Sequence, residues 1–181
     1  MRRIIYGLAL ALTALPARAQ APQQAPLAEG DLCAGLRSGV IAPTDARIGN
    51  CTKLIESGRL SNANLAITYS NRGLAYEAKG LVDKAIADHT KAIALNPDYA
   101  AAYNNRAWDY HLQGQDAKGL PDAEKAVALA PNNAAIIETR AEIHEKLGPR
   151  DQAIADYRAA LKLDLAMKAA RDGLKRLGAS P

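Results

Sequence analysis

The sequence lacks the short motifs that mark the common catalytic sites. It contains no Gly-x-Ser-x-Gly nucleophile turn, no phosphate-binding loop and no dinucleotide fingerprint. No two of the three histidines share an i, i+4 helical face, and none accompanies a carboxylate motif of metal-ligand spacing. We therefore expect no enzyme, no metal and no cofactor. An enzyme of this size would need an unrecognised site.

The sequence also lacks an apolar run of the about 20 residues that a membrane-spanning helix needs. The mostly apolar run 4–15 is shorter; it follows Arg2 and Arg3 and precedes the small-x-small pattern Ala17-Arg18-Ala19. This order is typical of a secretory signal peptide, residues 1–19, cleaved after Ala19. No cysteine follows the run at a lipid-attachment position. We expect an exported protein, periplasmic or secreted, without a membrane span in the mature chain.

A basic excess is missing once the signal peptide is removed. The chain has 23 Lys+Arg and 19 Asp+Glu, and three of the arginines lie in residues 1–19. The mature protein then has 20 basic against 19 acidic residues, a net charge of +1. A nucleic-acid-binding domain carries a basic stripe, so this chain is not expected to bind nucleic acid.

The strongest positive feature is an internal repeat of 34 residues. The segment Ala94–Ala100 is echoed at Ala128–Ala134, which divides the chain into units 66–99, 100–133 and 134–167. The matching columns are Arg72, Arg106 and Arg140; Gly80, Gly114 and Gly148; Asp88, Asp122 and Asp156; and Ala92, Ala126 and Ala160.

Each unit has the pattern of two helices. Apolar or small residues recur at three- and four-residue steps from Tyr69 to Tyr76 and again from Ile86 to Ile93. Gly80 lies where the first helix would end, and Pro97 follows the second helix. A small residue in the column of Gly73, Ala107 and Ala141 lets the two helices of a unit approach closely.

These residues resemble the tetratricopeptide repeat. The first unit supplies Tyr69, Gly73, Tyr76, Ala85, His89 and Pro97; the second supplies Tyr103, Ala107, Tyr110, Ala126 and Pro131, with Gly119 and Ala123 departing; the third supplies Ala153, Tyr157 and Ala160. Leu165 stands where the third proline is usual, which predicts a blurred end to that unit. The resemblance covers residues 66–167. It implies an all-α fold, a right-handed α-solenoid of stacked helix-turn-helix units with capping helices.

Segments on both sides of the three units complete the predicted solenoid. Residues 168–181 are predicted to be a C-terminal capping helix and tail. Residues 31–64 are predicted to be a degenerate N-terminal helical pair, with its first helix at Asp31–Gly39, its second at Arg47–Ile55 and a loop at Ser57–Asn64. Residues 20–30, rich in Ala, Pro and Gln, are predicted to be a flexible leader.

Two cysteines fall in that N-terminal pair. Cys51 occupies the column of His89, which in the resembled family packs between the helices of a unit, and Cys33 lies on the predicted partner helix. Exported chains with an even cysteine count usually oxidise them, so we predict a Cys33–Cys51 disulfide. A redox pair is the alternative, although no Cys-x-x-Cys is present.

The recurrent charges and histidines have mainly structural interpretations. Each column arginine precedes its column aspartate by 16 residues, which predicts an ion pair between helices; a ligand-binding row of arginines is the alternative. His89 and His144 occupy packing columns and are predicted to be interior. His111 is predicted to face solvent or the groove.

In the resembled family the first helix of each unit builds the concave binding face. The matching positions are Ser70, Asn71, Leu74, Asn104, Asn105, Trp108, Glu138, Thr139 and Glu142. The Asn71 and Asn105 amides suit a peptide backbone. Trp108, the only tryptophan, would either hold a partner or pack on a neighbouring helix. Glu138, Glu142 and Glu145 would suit a ligand with a basic segment.

One variant of the family holds a C-terminal carboxylate with Lys and Arg at groove positions. This chain has Ser70, Leu74, Asn104 and Trp108 there, so docking to cytosolic chaperones through that clamp is not expected. The function predicted from sequence is a non-catalytic scaffold that binds an unidentified protein or peptide in the periplasm or cell envelope. The alternative is a structural protein that self-assembles.

Overall fold

The computed structural model of the chain describes Cys33, residues 36–37 and 40–41, and residues 43–181. Within residues 43–181 lie eight helices: α1 Thr44–Glu56, α2 Asn62–Glu77, α3 Val82–Leu95, α4 Ala100–Leu112, α5 Asp116–Leu129, α6 Ala134–Leu147, α7 Arg150–Leu163 and α8 Lys168–Arg176. They form an all-α repeat solenoid, as predicted. Among these helices, none combines the length and apolarity needed to cross a membrane. The predicted signal peptide (1–19) and leader (20–30) lie outside the described residues.

The N-terminal cap differs from the prediction. Within the predicted helix Asp31–Gly39, β1 (Leu36–Arg37) pairs antiparallel with β2 (Val40–Ile41), with Arg37 opposite Val40. The helix prediction is therefore wrong at Leu36–Arg37. The sequence favours strands here because Val40 and Ile41 are β-branched and two residues, Ser and Gly, separate the strand segments, which is the length of a hairpin loop. Apart from Cys33, which is helical, and Leu36–Arg37, the predicted helix lies outside the described residues.

The helix α1 contains the predicted segment Arg47–Ile55, but the loop after it is shorter than predicted. It ends at Ser61, where α2 begins, because the Ser61 hydroxyl accepts a hydrogen bond from the Asn64 backbone N–H at 3.3 Å. The first helix of the first unit therefore starts at Asn62, four residues before the repeat frame derived from sequence.

The two cysteines are joined as predicted, with a separation of 18 residues. Cys33 and Cys51 are both buried and pack with Leu54 and the half-buried Leu60. This small cluster connects the segment before β1 to α1. A crosslink that closes a loop of this length contributes roughly 3 kcal/mol by the loop-entropy model.

The three helical pairs α2–α3, α4–α5 and α6–α7 repeat with the 34-residue period. Their second helices end at Leu95, Leu129 and Leu163. The turn inside each pair uses the column glycines, whose φ angles are +72° at Gly80, +68° at Gly114 and +100° at Gly148. Residues with a side chain rarely adopt this left-handed conformation, so glycine marks the turn.

The third unit ends as sharply as the others, contrary to the blurred end predicted from Leu165. Asp164 follows α7, and its carboxylate accepts a hydrogen bond from the Ala166 N–H at 2.9 Å. Asn96 makes the same turn after α3, accepting from the Asp98 N–H at 3.2 Å. Side-chain turns of this kind end a helix without proline.

Alanine forms most of the core, and the helices lie close together. Among the described residues, twelve alanines have no exposed surface, including Ala92, Ala126 and Ala160. A Cβ on Gly73 would lie 2.7 Å from the His89 imidazole, and a Cβ on Gly173 would lie 2.3 Å from the Tyr157 ring. The small residue in each case makes room for a large buried ring, as predicted for the Gly73 column.

The Arg–Asp columns are structural ion pairs, as the favoured interpretation predicted. Each arginine donates two hydrogen bonds to its aspartate, in the pairs Arg72–Asp88, Arg106–Asp122 and Arg140–Asp156, at 2.6–2.9 Å. Each of the three aspartates is at most 8% exposed. In the first two units the guanidinium also reaches the preceding second helix, at Thr52 and Thr90. The pairs therefore fix helix register within and between units and leave no arginine row for a ligand.

The first helices of successive units contact one another. The contacts α2–α4, α4–α6 and α6–α8 are present, whereas among the described helices no second helix contacts the next second helix. Elements on the inside of a curve approach more closely than those on the outside. The first helices and α8 therefore line the concave side of the solenoid.

Two buried ionisable side chains meet between the first and second units. His89 and Asp109 have no exposed surface, and His89 Nε2 lies 3.5 Å from Asp109 Oδ2. Burial, followed by the charge of Glu77, raises the pKa of Asp109 to about 8. Burial, followed by the charge of Arg106, lowers the pKa of His89 to about 4. Between these values the pair is neutral.

We expect the substitution Asp109→Asn to stabilise the fold increasingly as pH rises from about 4 to about 8. Because the folded-state pKa of Asp109 is raised from 3.8 to about 8, its stability contribution is complete below the unfolded value and is lost as pH rises. The loss is at most about 1.4 kcal/mol per pH unit. His89 changes stability in the opposite direction, between pH 6.5 and about 4, in both proteins.

Urea unfolding at several pH values measures the difference between the variant and the parent. The exposed Asp98→Asn is the matched control, with an expected change below about 0.5 kcal/mol at every pH. Parallel stability curves for the parent and Asp109→Asn would show that Asp109 is already ionised in the folded protein.

Candidate binding groove

The groove is the concave surface of α2, α4, α6 and α8. Residues 34 positions apart fall on the same side of successive helices, so the surface is built from columns. Its described members are Asn71, Leu74, Glu77, Asn104, Asn105, Trp108, His111, Glu138, Glu142, Glu145 and Arg176. The Arg176 side chain is 51% exposed, and the other members are half-buried. Each of these side chains therefore leaves part of its surface accessible to a ligand.

Trp108 occupies the middle of the groove. Its ring stacks on His111, with centroids 5.0 Å apart and planes inclined by 28°. Both rings line an open pocket of about 380 Å³ together with Glu142, Glu145, Lys146 and Arg176. Trp108 is thus partly packed and partly accessible, so the packing contact is present and the role in holding a partner stays a prediction.

His111 is held between carboxylates from two units. Its Nδ1 lies 2.5 Å from Asp116 Oδ1 at the start of α5, and its Nε2 lies 3.9 Å from Glu142 Oε2 on α6. The short contact to Asp116 fixes the orientation of the ring against Trp108. Of the two positions considered for His111, the structure places it in the groove.

Three glutamates give the groove its negative character. Burial, followed by the charge of Glu142, raises the pKa of Glu138 to about 7. Burial also raises the pKa of Glu77, opposed by a hydrogen bond from Trp108. The charge of Arg176 opposes the rise at Glu138 but is the smallest of the contributions to its pKa.

Glu145, by contrast, is neutralised by a residue that the sequence reasoning missed. Arg176 on α8 donates to Glu145 Oε1 at 2.9 Å and to Oε2 at 2.8 Å, and this pairing lowers the pKa of Glu145. Tyr157 donates to the same carboxylate at 2.5 Å. The signal was available, because Arg176 follows Glu142 by one 34-residue period.

The remaining predicted groove residues fall into two groups. Asn71, Leu74, Asn104 and Asn105 are half-buried on the first helices α2 and α4, and their part in a binding site stays a prediction. Asn105 Nδ2 donates to the buried Ser70 hydroxyl at 3.4 Å, and Asn104 Oδ1 is buried without a hydrogen-bond partner among the described residues. Thr139 does not fit the prediction: it is 5% exposed and its hydroxyl donates to the Ala135 carbonyl, so it offers nothing to a ligand.

The other two histidines are interior, as predicted. His89 is completely buried, and His144 Nδ1 lies 3.1 Å from Asp156 Oδ2 inside the third unit. In the described part of the chain, no three His, Cys, Asp or Glu side chains are arranged to hold a metal ion. The arrangement of the groove suits recognition by stacking, hydrogen bonds and charge.

Solved structures with the same architecture are tetratricopeptide repeat domains. The chain is 29% identical to the tetratricopeptide repeat domain of Arabidopsis OM64, with a TM-score of 0.63 over 65% of this chain and 97% of that one. It is 25% identical to the first such domain of Spaghetti (RPAP3) bound to the HSP90 peptide SRMEEVD, with a TM-score of 0.63 over 67% and 96%. The first such domain of human RPAP3 is also 25% identical, with a TM-score of 0.62 over 64% and 91%.

Sequence comparison gives the same family. No curated protein sequence matches the chain. Models of the tetratricopeptide repeat match residues 66–99 and 134–167, which are the first and third units derived from the 34-residue period. The repeat pattern, the paired helices and these matches agree, and the chain contains tetratricopeptide repeats at residues 66–99 and 134–167.

Proposed function

We propose that the protein is a non-catalytic scaffold whose groove binds an extended segment of a partner protein. The observation that carries this proposal is the pocket beside Trp108. The only tryptophan of the chain lines an open pocket at the centre of the concave face instead of being fully enclosed in the core. Tryptophan in such a position is typical of the residues that dominate binding energy at protein interfaces.

Amide side chains along the same surface support binding of a peptide backbone. Asn71 and Asn105 lie one repeat apart, and the buried Asn104 carbonyl oxygen has no hydrogen-bond partner among the described residues. A backbone N–H of a ligand would satisfy that oxygen. Repeats at a fixed spacing favour a ligand that runs along the groove.

The similar Spaghetti (RPAP3) domain was solved with the peptide SRMEEVD, which supports a peptide as the class of ligand. The peptide itself is a poor guide, because it carries three acidic side chains. This groove presents Glu138 and Glu142, and it has Ser70, Leu74, Asn104 and Trp108 where the carboxylate-holding variant has basic residues.

We further propose that the scaffold works outside the cytoplasm, in the periplasm or as a secreted protein. Support comes from the basic start, the apolar run 4–15 and the pattern Ala17-Arg18-Ala19. The Cys33–Cys51 pair adds to it, because disulfides persist in oxidising compartments.

We expect the triple substitution Asn71→Ala, Asn105→Ala and Trp108→Ala to weaken partner binding at least tenfold without unfolding the protein. A pull-down from the cell envelope with mature protein identifies the partner, and calorimetry with purified partner measures the affinity.

The matched control changes three exposed residues on the outer helices: Glu124→Ala, Lys125→Ala and Gln152→Ala. This control is expected to bind as the parent does. Unchanged affinity in the groove variant would remove these three residues from the binding site.

Self-assembly is a second candidate, favoured by the C-terminal end of the solenoid. Leu165 is 82% exposed there and lines an apolar pocket of about 300 Å³ with Leu161 and the stems of Arg158, Lys162 and Arg171. An exposed leucine beside an apolar pocket is a feature of surfaces that associate.

Light scattering after size-exclusion chromatography distinguishes the two candidates. We expect the mature domain to be monomeric at high concentration, because the scaffold proposal needs no second copy. A dimer that Leu165→Asp converts to a monomer would instead support self-assembly through this end.

A further inference from the structure

The part of the groove around Trp108 contains more carboxylates than cations. Glu138 and Glu142 lie on α6, and Glu77 approaches Trp108 from α2. Arg176, the cation that lines the same pocket from α8, is occupied by Glu145 and Tyr157. Lys146 is exposed at the edge of the pocket. Arg176 lowers the pKa of Glu138 through its charge, but among the described residues no Lys or Arg forms a salt bridge with Glu138 or Glu142.

The pocket also contains an aromatic surface, of the kind that can attract a cation. Trp108 and His111 stack as a pair, and His111 is fixed by Asp116. An aromatic face attracts a guanidinium or ammonium group placed over it, and tryptophan does so most strongly. Glu142, 3.9 Å from His111, is adjacent to this pair.

From this arrangement we infer that the pocket bounded by Trp108, His111 and Glu142 receives a Lys or Arg side chain from the partner segment, with Glu138 contributing its negative charge. The inference rests on the proposed function, since it names the chemistry of the segment that the groove binds. The open pocket of about 380 Å³ accommodates one long basic side chain. A guanidinium would pair with a carboxylate through two hydrogen bonds while its plane stacks on an aromatic ring.

The raised pKa of Glu138 agrees with a basic occupant. Burial and the neighbouring Glu142 raise the pKa of Glu138 to about 7, so Glu138 is protonated for part of the time at neutral pH. A cation in the pocket would favour the ionised form of Glu138. An acidic segment would place more negative charge beside the same carboxylates and is disfavoured.

Trp108 provides the assay, because it is the only tryptophan and it lines the pocket. The mature protein is titrated with three synthetic nonapeptides of the same Gly-Ser-Ala backbone, with Arg, Gln or Glu at two fixed positions. Trp108 emission and peptide anisotropy are both recorded. We expect the Arg peptide to bind at least tenfold more tightly than the Gln peptide, and the Glu peptide to bind more weakly than either.

The variant Glu138→Gln/Glu142→Gln should reduce the affinity for the Arg peptide to that for the Gln peptide. The matched control Glu56→Gln/Glu124→Gln makes the same change of charge at exposed positions on α1 and α5 and should leave the affinity within twofold. Circular dichroism melts of each variant establish that the fold is retained.

The outcomes separate this inference from the proposed function. If the Gln peptide binds as tightly as the Arg peptide, and the groove triple variant weakens both, the groove binds peptides but the basic preference is wrong. If the Arg peptide binds equally to the parent and to Glu138→Gln/Glu142→Gln, its cation binds elsewhere and the inference is overturned. If no peptide binds at millimolar concentration, both proposals fail.

Discussion

Close approach of the two helices in each unit is the constraint on which the rest of the structure depends. A column of small residues, Gly73, Ala107 and Ala141, lies at the crossing, and twelve fully buried alanines extend this packing through the solenoid. Because alanine buries little apolar area per residue, the core gains its stability from helices that lie near one another along their length. Where a large ring enters, as at Tyr157, a glycine makes room for it.

The bidentate Arg–Asp pairs follow from the same constraint. Helices that approach closely leave little space for water, so an aspartate that is ionised at the interface needs a cation beside it. Each aspartate receives a guanidinium from the first helix of its own unit, and in the first two units that guanidinium also reaches the preceding unit. Because these arginines and aspartates pair with each other between the helices, they do not line the groove. Its columns consist of asparagines, Trp108 and glutamates.

The 34-residue period predicted most of the fold from sequence. It located three helical pairs, the small-residue crossing, the Arg–Asp pairs and the Cys33–Cys51 pair, because each depends on residues that recur or align with a repeat column. The period did not predict two local features that depend on individual side chains. The strand at Leu36–Arg37 follows from β-branched neighbours, and the end of α7 follows from the side chain of Asp164.

The groove was predictable only in part. Column positions placed Asn71, Asn105 and Trp108 on the concave face, but they also placed Thr139 there, and its hydroxyl is used within α6. Arg176 was missed because α8 had been treated as a cap, although it continues the groove columns. The contact of His89 with Asp109 joins neighbouring units across different columns, so the repeat pattern could not predict it.

Site-specific photo-crosslinking in intact cells tests the central claim, that the concave face holds a partner outside the cytoplasm. A benzoylphenylalanine is placed at Leu74 in the groove or at the exposed Lys125 on α5, in the full chain with its own N-terminus. The account predicts a discrete adduct from position 74 in the exported fraction and none from position 125. Adducts from position 125 alone, or the same adducts from both positions, would contradict it.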